Sequence, residues 1–352
     1  MACEAAARLR FDIAGLARDG TLGDHAALMR LVERADDYGF GGIWFNEFHF
    51  HRGTLPYPHT LLLGAAILAR TERLRFGTSI LVLPLYHPLM LAEQIAQLDF
   101  QSGGRVDIGV GRGTEPATFE TLGIDPATAR QRFEEVLAVM LRAWTCDRVA
   151  SDEPTWPFAE TEVGPPPVQT PHPPIHVAGV SAETIALAAR HRFPLLLSLE
   201  PNEARQLPVF RDALRRAGAG SSPLAASSLA RYVLPASTPA RAEGALDQLT
   251  ERLNRRRTLR AGANGKAAPR PRDRAEMLAD YAIAGTPDEC RRQILALVAR
   301  TGCRNLRCLF DANGLIPFAE ADSALTLFAT EVLPAFKDCA VPSVPDIQLE
   351  RT

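Results

Sequence analysis

Apolar runs of strand length alternate with amphipathic, helix-length segments from one end of this chain to the other, and that alternation restricts its fold more than any other feature. The runs fall at 9–14, 42–46, 74–83, 106–110, 175–178, 195–199, 226–233 and 305–310. Between them, helical periodicity predicts helices over 24–38, 59–69, 88–100, 127–144, 182–190, 203–217 and 287–301, with a last helix near 318–336. A strand followed by a helix, repeated along the whole chain, points to an α/β protein and to a closed (β/α)8 TIM barrel over an open sheet. Helix punctuation agrees: Pro88 suits a first helical turn, and Thr286-Pro287-Asp288-Glu289 reads as an N-cap, a proline at the first position and an acidic first turn.

Such barrels run to about 250 residues before insertions, so a single domain spanning 1–352 carries extra loops after strands four and seven. Residues 146–174, rich in proline and acidic side chains, read as a surface insertion. Residues 255–274 are rich in Arg, Gly, Ala and Pro and lack apolar periodicity. Placed over a barrel mouth they would form a mobile lid; a solvated surface loop fits the composition equally.

A net charge of −2 sets up no global basic field, so neither nucleic acid nor an acidic membrane is an expected partner. The apolar runs are too short to cross a bilayer, and Arg8 and Arg10 interrupt any secretory signal pattern. Six scattered cysteines without a CxxC pair suit a reducing cytoplasm, with Cys146, Cys303 and Cys308 expected as small buried apolar groups. A soluble cytoplasmic protein is the expectation.

The chemistry-bearing residues gather at the carboxyl ends of the expected strands, where barrels place their sites. Glu47 and His49 follow the apolar run ending at Phe45, and burying them among aromatics requires partners. Arg112 sits in Gly109-Val110-Gly111-Arg112-Gly113, where glycines permit close backbone approach and a guanidinium suits a phosphate; a pair with Glu115 is the plainer alternative. Ser181-Ala182-Glu183-Thr184 opens a helix and reads either as an anion site or as an ordinary cap. Together, Arg112 and the Ser181 helix start offer two arms for one phosphate. Thr78-Ser79-Ile80 could line a flat ligand or face the barrel core. His49 and His51, alternate on an extended segment, raise a rival metal reading with His176 and Asp311; it lacks a lysine after the fourth strand and begins on the wrong strand. No nucleophile elbow, phosphate-binding Gly-Lys-Ser/Thr loop or His-Glu-x-x-His is present.

Taken with the strings at 44–50, 77–84, 87–88, 92–93, 98–99, 104–105, 112–113, 181–184, 285–290, 301–302, 312–314 and 327–328, the chain resembles the bacterial luciferase family of flavin-dependent monooxygenases along most of its length, the α subunit above all. The resemblance implies a dimeric (β/α)8 barrel that takes reduced FMN from a separate NAD(P)H-dependent flavin reductase. Reduced FMN and O2 would form a C4a-hydroperoxyflavin that oxygenates a small, largely apolar organic substrate. It implies that Arg112, Ser181, Ala182 and Thr184 hold the FMN phosphate, and that Glu47, Ser79 and Ile80 flank the isoalloxazine, with a cis peptide between Ser79 and Ile80. Gly111 stands where the luciferase has a cysteine near the reactive flavin carbon. Residues 255–280 would be the loop that shields the flavin from water. Phe48, Phe119 and Leu199 would make the substrate side apolar, and no metal is implied.

One departure matters. Where the luciferase α subunit has two adjacent histidines after its glutamate, this chain has Phe48 and then His49. Phenylalanine moves no proton, and Leu199 replaces a tryptophan, so light emission is not expected. His49 is the candidate acid–base residue, or a structural or dimer-interface histidine. Two further readings stay open: an oxidoreductase using the deazaflavin F420, and a non-catalytic flavin-binding partner subunit, against which the retained Arg112 speaks.

Overall fold

The computed structural model describes residues 8–16, 24–51, 57–263 and 265–337. Its strands are β1 (Arg10–Ala14), β2 (Gly42–Phe45), β3 (Arg75–Thr78), β4 (Leu81–Val82), β5 (Val106–Gly111), β6 (Val149–Ser151), β7 (Phe158–Thr161), β8 (Ile175–Val177), β9 (Ser228–Pro235), β10 (Ala282–Gly285) and β11 (Asn305–Leu309). All pair in parallel except β6 with β7, and helices separate most of them, so the α/β expectation holds. The chain divides into two compact units, His25–Leu196 and Met1–Asp24 with Leu197–Thr352.

In the first unit β2 pairs with β3, both β3 and β4 pair with β5, and β5 pairs with β8. Every residue of β2 and β5 is buried, as strands covered on both faces must be. Gly77 is required where it stands: an added Cβ would lie 2.2 Å from the Trp44 indole. The amino ends of these strands are tied by buried charges. Asp36 accepts the backbone N–H groups of Glu72 and Leu74 at 2.8 and 2.7 Å, and Asp107 pairs with Arg75 at 2.7 Å. Asp99 accepts from the Val168 N–H at 2.8 Å, and Arg105 donates to the Leu68 and Leu74 carbonyls at 2.9 Å each. The Leu98-Asp99 and Gly104-Arg105 strings are therefore structural, at the strand ends opposite the candidate site.

In the second unit β9 lies between β10 and β11, and β11 pairs with β1. Phe328 packs edge-on against Phe11 and Phe310, each with centroids 5.6 Å away. Arg307 is buried and donates to the Leu197 carbonyl and, at 3.0 Å, to the Ser228 hydroxyl. Burial pushes its guanidinium down to about 10 against the opposing pull of Asp12.

The structure departs from the sequence expectations in specific places. The run at 195–199 is reduced to one bridge, Val177 to Leu195, and a short strand, β10, appears where no run was expected. Within 146–174, β6 and β7 form an antiparallel hairpin. The expected structureless stretch from 255 is helical at its start, because a helix runs from Pro239 to Ala263. Its buried Ala242, Leu246, Leu249 and Leu253 form an apolar stripe, and Arg, Leu and Ala then carry the helix onward by propensity alone. Asn254 also accepts from the Arg272 N–H at 2.9 Å and donates to its carbonyl at 2.8 Å, which pins the far end of the expected lid. Cys303 and Cys308 are buried as expected; Cys146 is exposed, because it follows the last turn of the helix Ala129–Thr145.

Thr286 and Glu289 form a complete capping box at the head of the helix Pro287–Thr301. Thr286→Ala is expected to lower unfolding free energy by about 1 kcal/mol, read from the urea midpoint at unchanged slope. Burial pushes the Cys290 and Cys303 thiols up to about 12, so both stay protonated at pH 8. Iodoacetamide at that pH, mapped by mass spectrometry, is expected to modify Cys146 and to spare Cys290, Cys303 and Cys308 until the chain unfolds.

Candidate active site

A one-residue bulge between β3 and β4 shapes the first part of the site. Phe76 and Gly77 face Val106 and Asp107, whereas Leu81 and Val82 face Val110 and Gly111, so the register slips by one residue between them. Thr78 covers the slip: its buried hydroxyl donates to the Gly109 carbonyl and accepts the Gly109 N–H, each at 2.9 Å. The Ser79–Ile80 peptide that follows is cis, as the resemblance implied. Thr78 thus belongs to the core, while Ser79 and Ile80 remain half-buried. The expected continuous strand over 74–83 is divided here into β3 and β4: the Ser79 N–H still donates to the Phe45 carbonyl of β2 at 2.8 Å, and the Thr78 hydroxyl, by engaging both backbone groups of Gly109, bridges the slip in register against β5.

Glu47 is the buried anion of the site, 5% exposed. Its Oε2 accepts the Val82 N–H at 2.7 Å, and its Oε1 accepts from His49 Nε2 at 2.7 Å and from the Tyr86 hydroxyl. The β4 backbone, the turn after it and the segment after β2 therefore converge on one carboxylate. Tyr86 was not expected from the sequence; the only signal was its place before His87-Pro88, at the end of the turn Leu83–Leu85. Burial first, and the Glu47 charge second, raise its phenol far above the ordinary value, so it stays protonated. His49 also meets the His59 ring at 5.1 Å.

Gly111 ends β5, and Arg112 follows it half-buried. An added Cβ at Gly111 would lie 2.2 Å from Ile80 Cδ1 and 3.4 Å from the Ala178 carbonyl, so Ile80 occupies the space a side chain here would need. Because β5 pairs with β8, and the Ala178 N–H donates to Val110 at 2.9 Å, Arg112 and the Ser181 helix start leave neighbouring strand ends. Ser181 caps the helix Ala182–Arg190: its Oγ accepts the Thr184 N–H at 3.3 Å and lies 3.0 Å from the Thr184 hydroxyl. Gly179 lets the turn close, since a Cβ there would lie 2.5 Å from Thr184 Cγ2.

A second guanidinium reaches this end. Arg130, from the helix Ala129–Thr145, donates to Ser181 Oγ at 3.4 Å and pairs with Glu183 at 3.4 Å. Nothing in its local sequence marks it, because only the packing of that helix brings it here. The Glu183 carboxyl is held below the usual carboxylate range by its own backbone N–H first, then by the Ser181 hydroxyl and Arg130, with Arg112 adding to the pull. The plainer pairing of Arg112 with Glu115 does not form. Glu115 instead accepts from His51 Nε2 at 2.7 Å and from the Thr118 hydroxyl at 2.9 Å. Among the described residues Arg112 makes no hydrogen bond or ion pair.

The expected apolar substrate side is not assembled in one unit. Phe48 is half-buried and lies edge-on to His51 at 6.2 Å, and Phe119 is buried, its ring 3.3 Å from where a Cβ on Gly113 would stand. Leu199 belongs to the other unit. The rival metal reading finds no cluster: His49 turns to Glu47, His51 to Glu115, and His176 packs against Trp44 at 5.3 Å. Among the described residues no three His, Cys, Asp or Glu side chains stand ready to hold an ion.

Parallel strands alternating with helices, with a buried carboxylate and two guanidiniums at their carboxyl ends, define the class of protein to which the comparisons point. The profile of the luciferase-like monooxygenases matches residues 11–305, and the chain belongs to that family. The chain is 39% identical over 129 residues to 4-hydroxyprotoasukamycin monooxygenase of Streptomyces nodosus subsp. asukaensis, covering 36% of this chain and 34% of that protein. It is 35% identical over 153 residues to the oxygenase component of flavin-dependent trigonelline monooxygenase of Acinetobacter baylyi, covering 43% and 42%. These matches thus span well under half of either relative. The alkanal monooxygenase α chain of the Kryptophanaron alfredi symbiont is 26% identical over 336 residues, covering 88% and 92%. Among solved structures, the monooxygenase RslO1 of Streptomyces bottropensis superposes with a TM-score of 0.79 at 29% identity, covering 93% of this chain and all of that one. The FMN-bound oxygenating constituent of 3,6-diketocamphane monooxygenase from Pseudomonas putida (TM-score 0.72, 21% identity, 93% and 98% covered) shares the fold. So does the F420-dependent tetrahydromethanopterin reductase of Methanopyrus kandleri (TM-score 0.69, 20% identity, 94% and 100% covered).

The Ile80–Gly111 contact is directly testable. Gly111→Ala is expected to cost about 1–3 kcal/mol of unfolding free energy by overpacking. Adding Ile80→Ala should recover part of that loss in a double-mutant cycle of urea titrations, whereas simple additivity would mean the two positions do not touch.

Proposed function

We propose that this chain is the oxygenase component of a two-component, FMN-dependent monooxygenase that oxygenates a small, largely apolar organic molecule. The observation that carries the reading is the arrangement at the carboxyl ends of β5 and β8. Arg112 has no protein partner there among the described residues, and the Ser181 and Thr184 hydroxyls stand at a helix start beside Arg130. A phosphate monoester fits such a donor set: positive partial charge at the helix end, two hydroxyls and two guanidiniums.

Arg112, Arg130, Ser181, Thr184 and the Ala182 N–H would hold the FMN phosphate, and Ser79, Ile80 and Gly111 would border the ring. Bound reduced FMN supplies the electrons that activate O2, and an NAD(P)H-dependent flavin reductase would keep it reduced. The chain's own contribution is positional. Gly111 makes room for the Ile80 side chain, which would border the ring; Glu47 and His49 would offer one proton-exchanging pair; Phe48 and Phe119 would supply apolar surface for the substrate. His49 would hold or move a proton as an imidazole whose charge Glu47 balances. The helix Thr60–Leu68 is apolar on every side and leaves Leu62 72% exposed, which supports a homodimer through that face.

Riboflavin and FMN differ only by the phosphate, so they separate the anion grip from the ring site. Arg112→Ala is expected to weaken FMN binding about 10–100-fold while leaving riboflavin affinity unchanged, measured by flavin fluorescence. Arg130→Ala should do the same to a smaller degree, because Arg130 is shared with Glu183. Equal weakening of both ligands would refute the phosphate assignment. Turnover with F420 and none with reduced FMN, O2 and a flavin reductase would favour the deazaflavin alternative.

A further inference from the structure

His49 and Tyr86 approach the same oxygen of a buried carboxylate, and that oxygen decides which way the histidine must face. A carboxylate only accepts hydrogen bonds. Glu47 Oε2 takes the Val82 N–H at 2.7 Å, and Oε1 takes the Tyr86 hydroxyl, so the contact from His49 Nε2 at 2.7 Å must also be a donation. We propose that Tyr86 is a positioning residue: the Glu47 carboxylate holds the His49 imidazole as the Nε2–H tautomer, with Nδ1 left as the atom that takes a proton, and Tyr86, by sharing Oε1, sets how strongly that carboxylate draws on the ring. The proposal rests on the acid–base reading of His49 given above.

The energetics follow from the shared acceptor. Each hydrogen bond that Glu47 accepts disperses its charge, so the phenol competes with the imidazolium for the same electrons. With Tyr86 in place, the carboxylate orients the ring with part of its charge already engaged by the phenol. Without Tyr86, His49 alone would meet that oxygen, and the undivided carboxylate charge would favour the imidazolium more strongly. Tyr86 can play this part because its own proton is secured by burial and by the Glu47 charge. Among the described residues the other titratable group facing His49 is His59, whose ring lies 5.1 Å away; His51 is engaged by Glu115.

The test is a long-range 1H–15N experiment on the full chain, 15N-labelled at histidine and free of flavin, with His49→Asn to assign the signal. Wild type is expected to show His49 as the Nε2–H tautomer above its titration midpoint. Tyr86→Phe should move that midpoint upward by about half a pH unit or more. Replacing the tyrosines with 3-fluorotyrosine, a more acidic phenol that changes no contact, should move it down; the same labelling in the Tyr86→Phe chain should leave it where it was. A midpoint unmoved by both changes, or an Nδ1–H tautomer, would overturn the proposal, and the fluorinated chain decides the matter even if Tyr86→Phe folds poorly. These readouts need no turnover. If the tautomer and shifts appear but no oxygenation is found with reduced FMN, the fault lies with the catalytic reading and not with the tyrosine. If turnover is present, the acidic limb of the kcat–pH profile is expected to shift with the midpoint, with little change in KM.

Discussion

A carboxylate buried to 5% exposure among aromatic side chains must be paid for by donors that cannot leave, and Glu47 is given them from three directions. The Val82 N–H comes from β4, the Tyr86 hydroxyl from the turn that ends before the helix Pro88–Ser102, and His49 from the segment after β2. Removing any one leaves a buried acceptor underused and loosens the others, because all three meet on a single group. The same anchor ties down Val82, the β4 residue that pairs with Gly111 at the end of β5.

A second constraint is spatial. Gly77 beneath Trp44, Gly109 against the Thr78 carbonyl and Gly111 against Ile80 each occupy positions where a side chain would collide. The result is a tightly layered set of strands whose polar needs are met by the Thr78 hydroxyl rather than by an uninterrupted ladder. Charge is segregated along the same strands. At the amino ends Arg75 pairs with Asp107, Asp36 and Asp99 accept backbone N–H groups and Arg105 donates to backbone carbonyls, while Arg112, which has no such partner among the described residues, stands at the carboxyl end. Paired guanidiniums stabilise a fold; an unpaired, half-buried one beside a helix N-terminus is a place for an anion.

Much of this was legible in the chain of letters. Hydrophobic period located β1, β2, β5, β8, β9 and β11 and most helices, and the Thr286 capping box could be read at sight, because both signals are local. The family strings placed Glu47, Arg112 and Ser181 at strand ends. Less legible were the helix through Ala263, whose last turns lack a buried stripe, and β10, whose Ala-Ile-Ala-Gly carries too little apolar bulk to stand out. The exposure of Cys146 is not legible either, since composition says nothing about which side of a helix end meets solvent.

By itself, then, the order of residues determined the α/β class, the parallel alternation and the residue types gathered at the carboxyl ends of the strands. Packing alone decided that Tyr86 would share Glu47 with His49, that Arg130 would cross from another helix to Ser181, and that Glu115 would take His51 and leave Arg112 to other work. Those pairings join residues 39, 51 and 64 positions apart. Distances of that kind are set by how helices seat on strands, a many-body balance of volume and charge that no local pattern encodes.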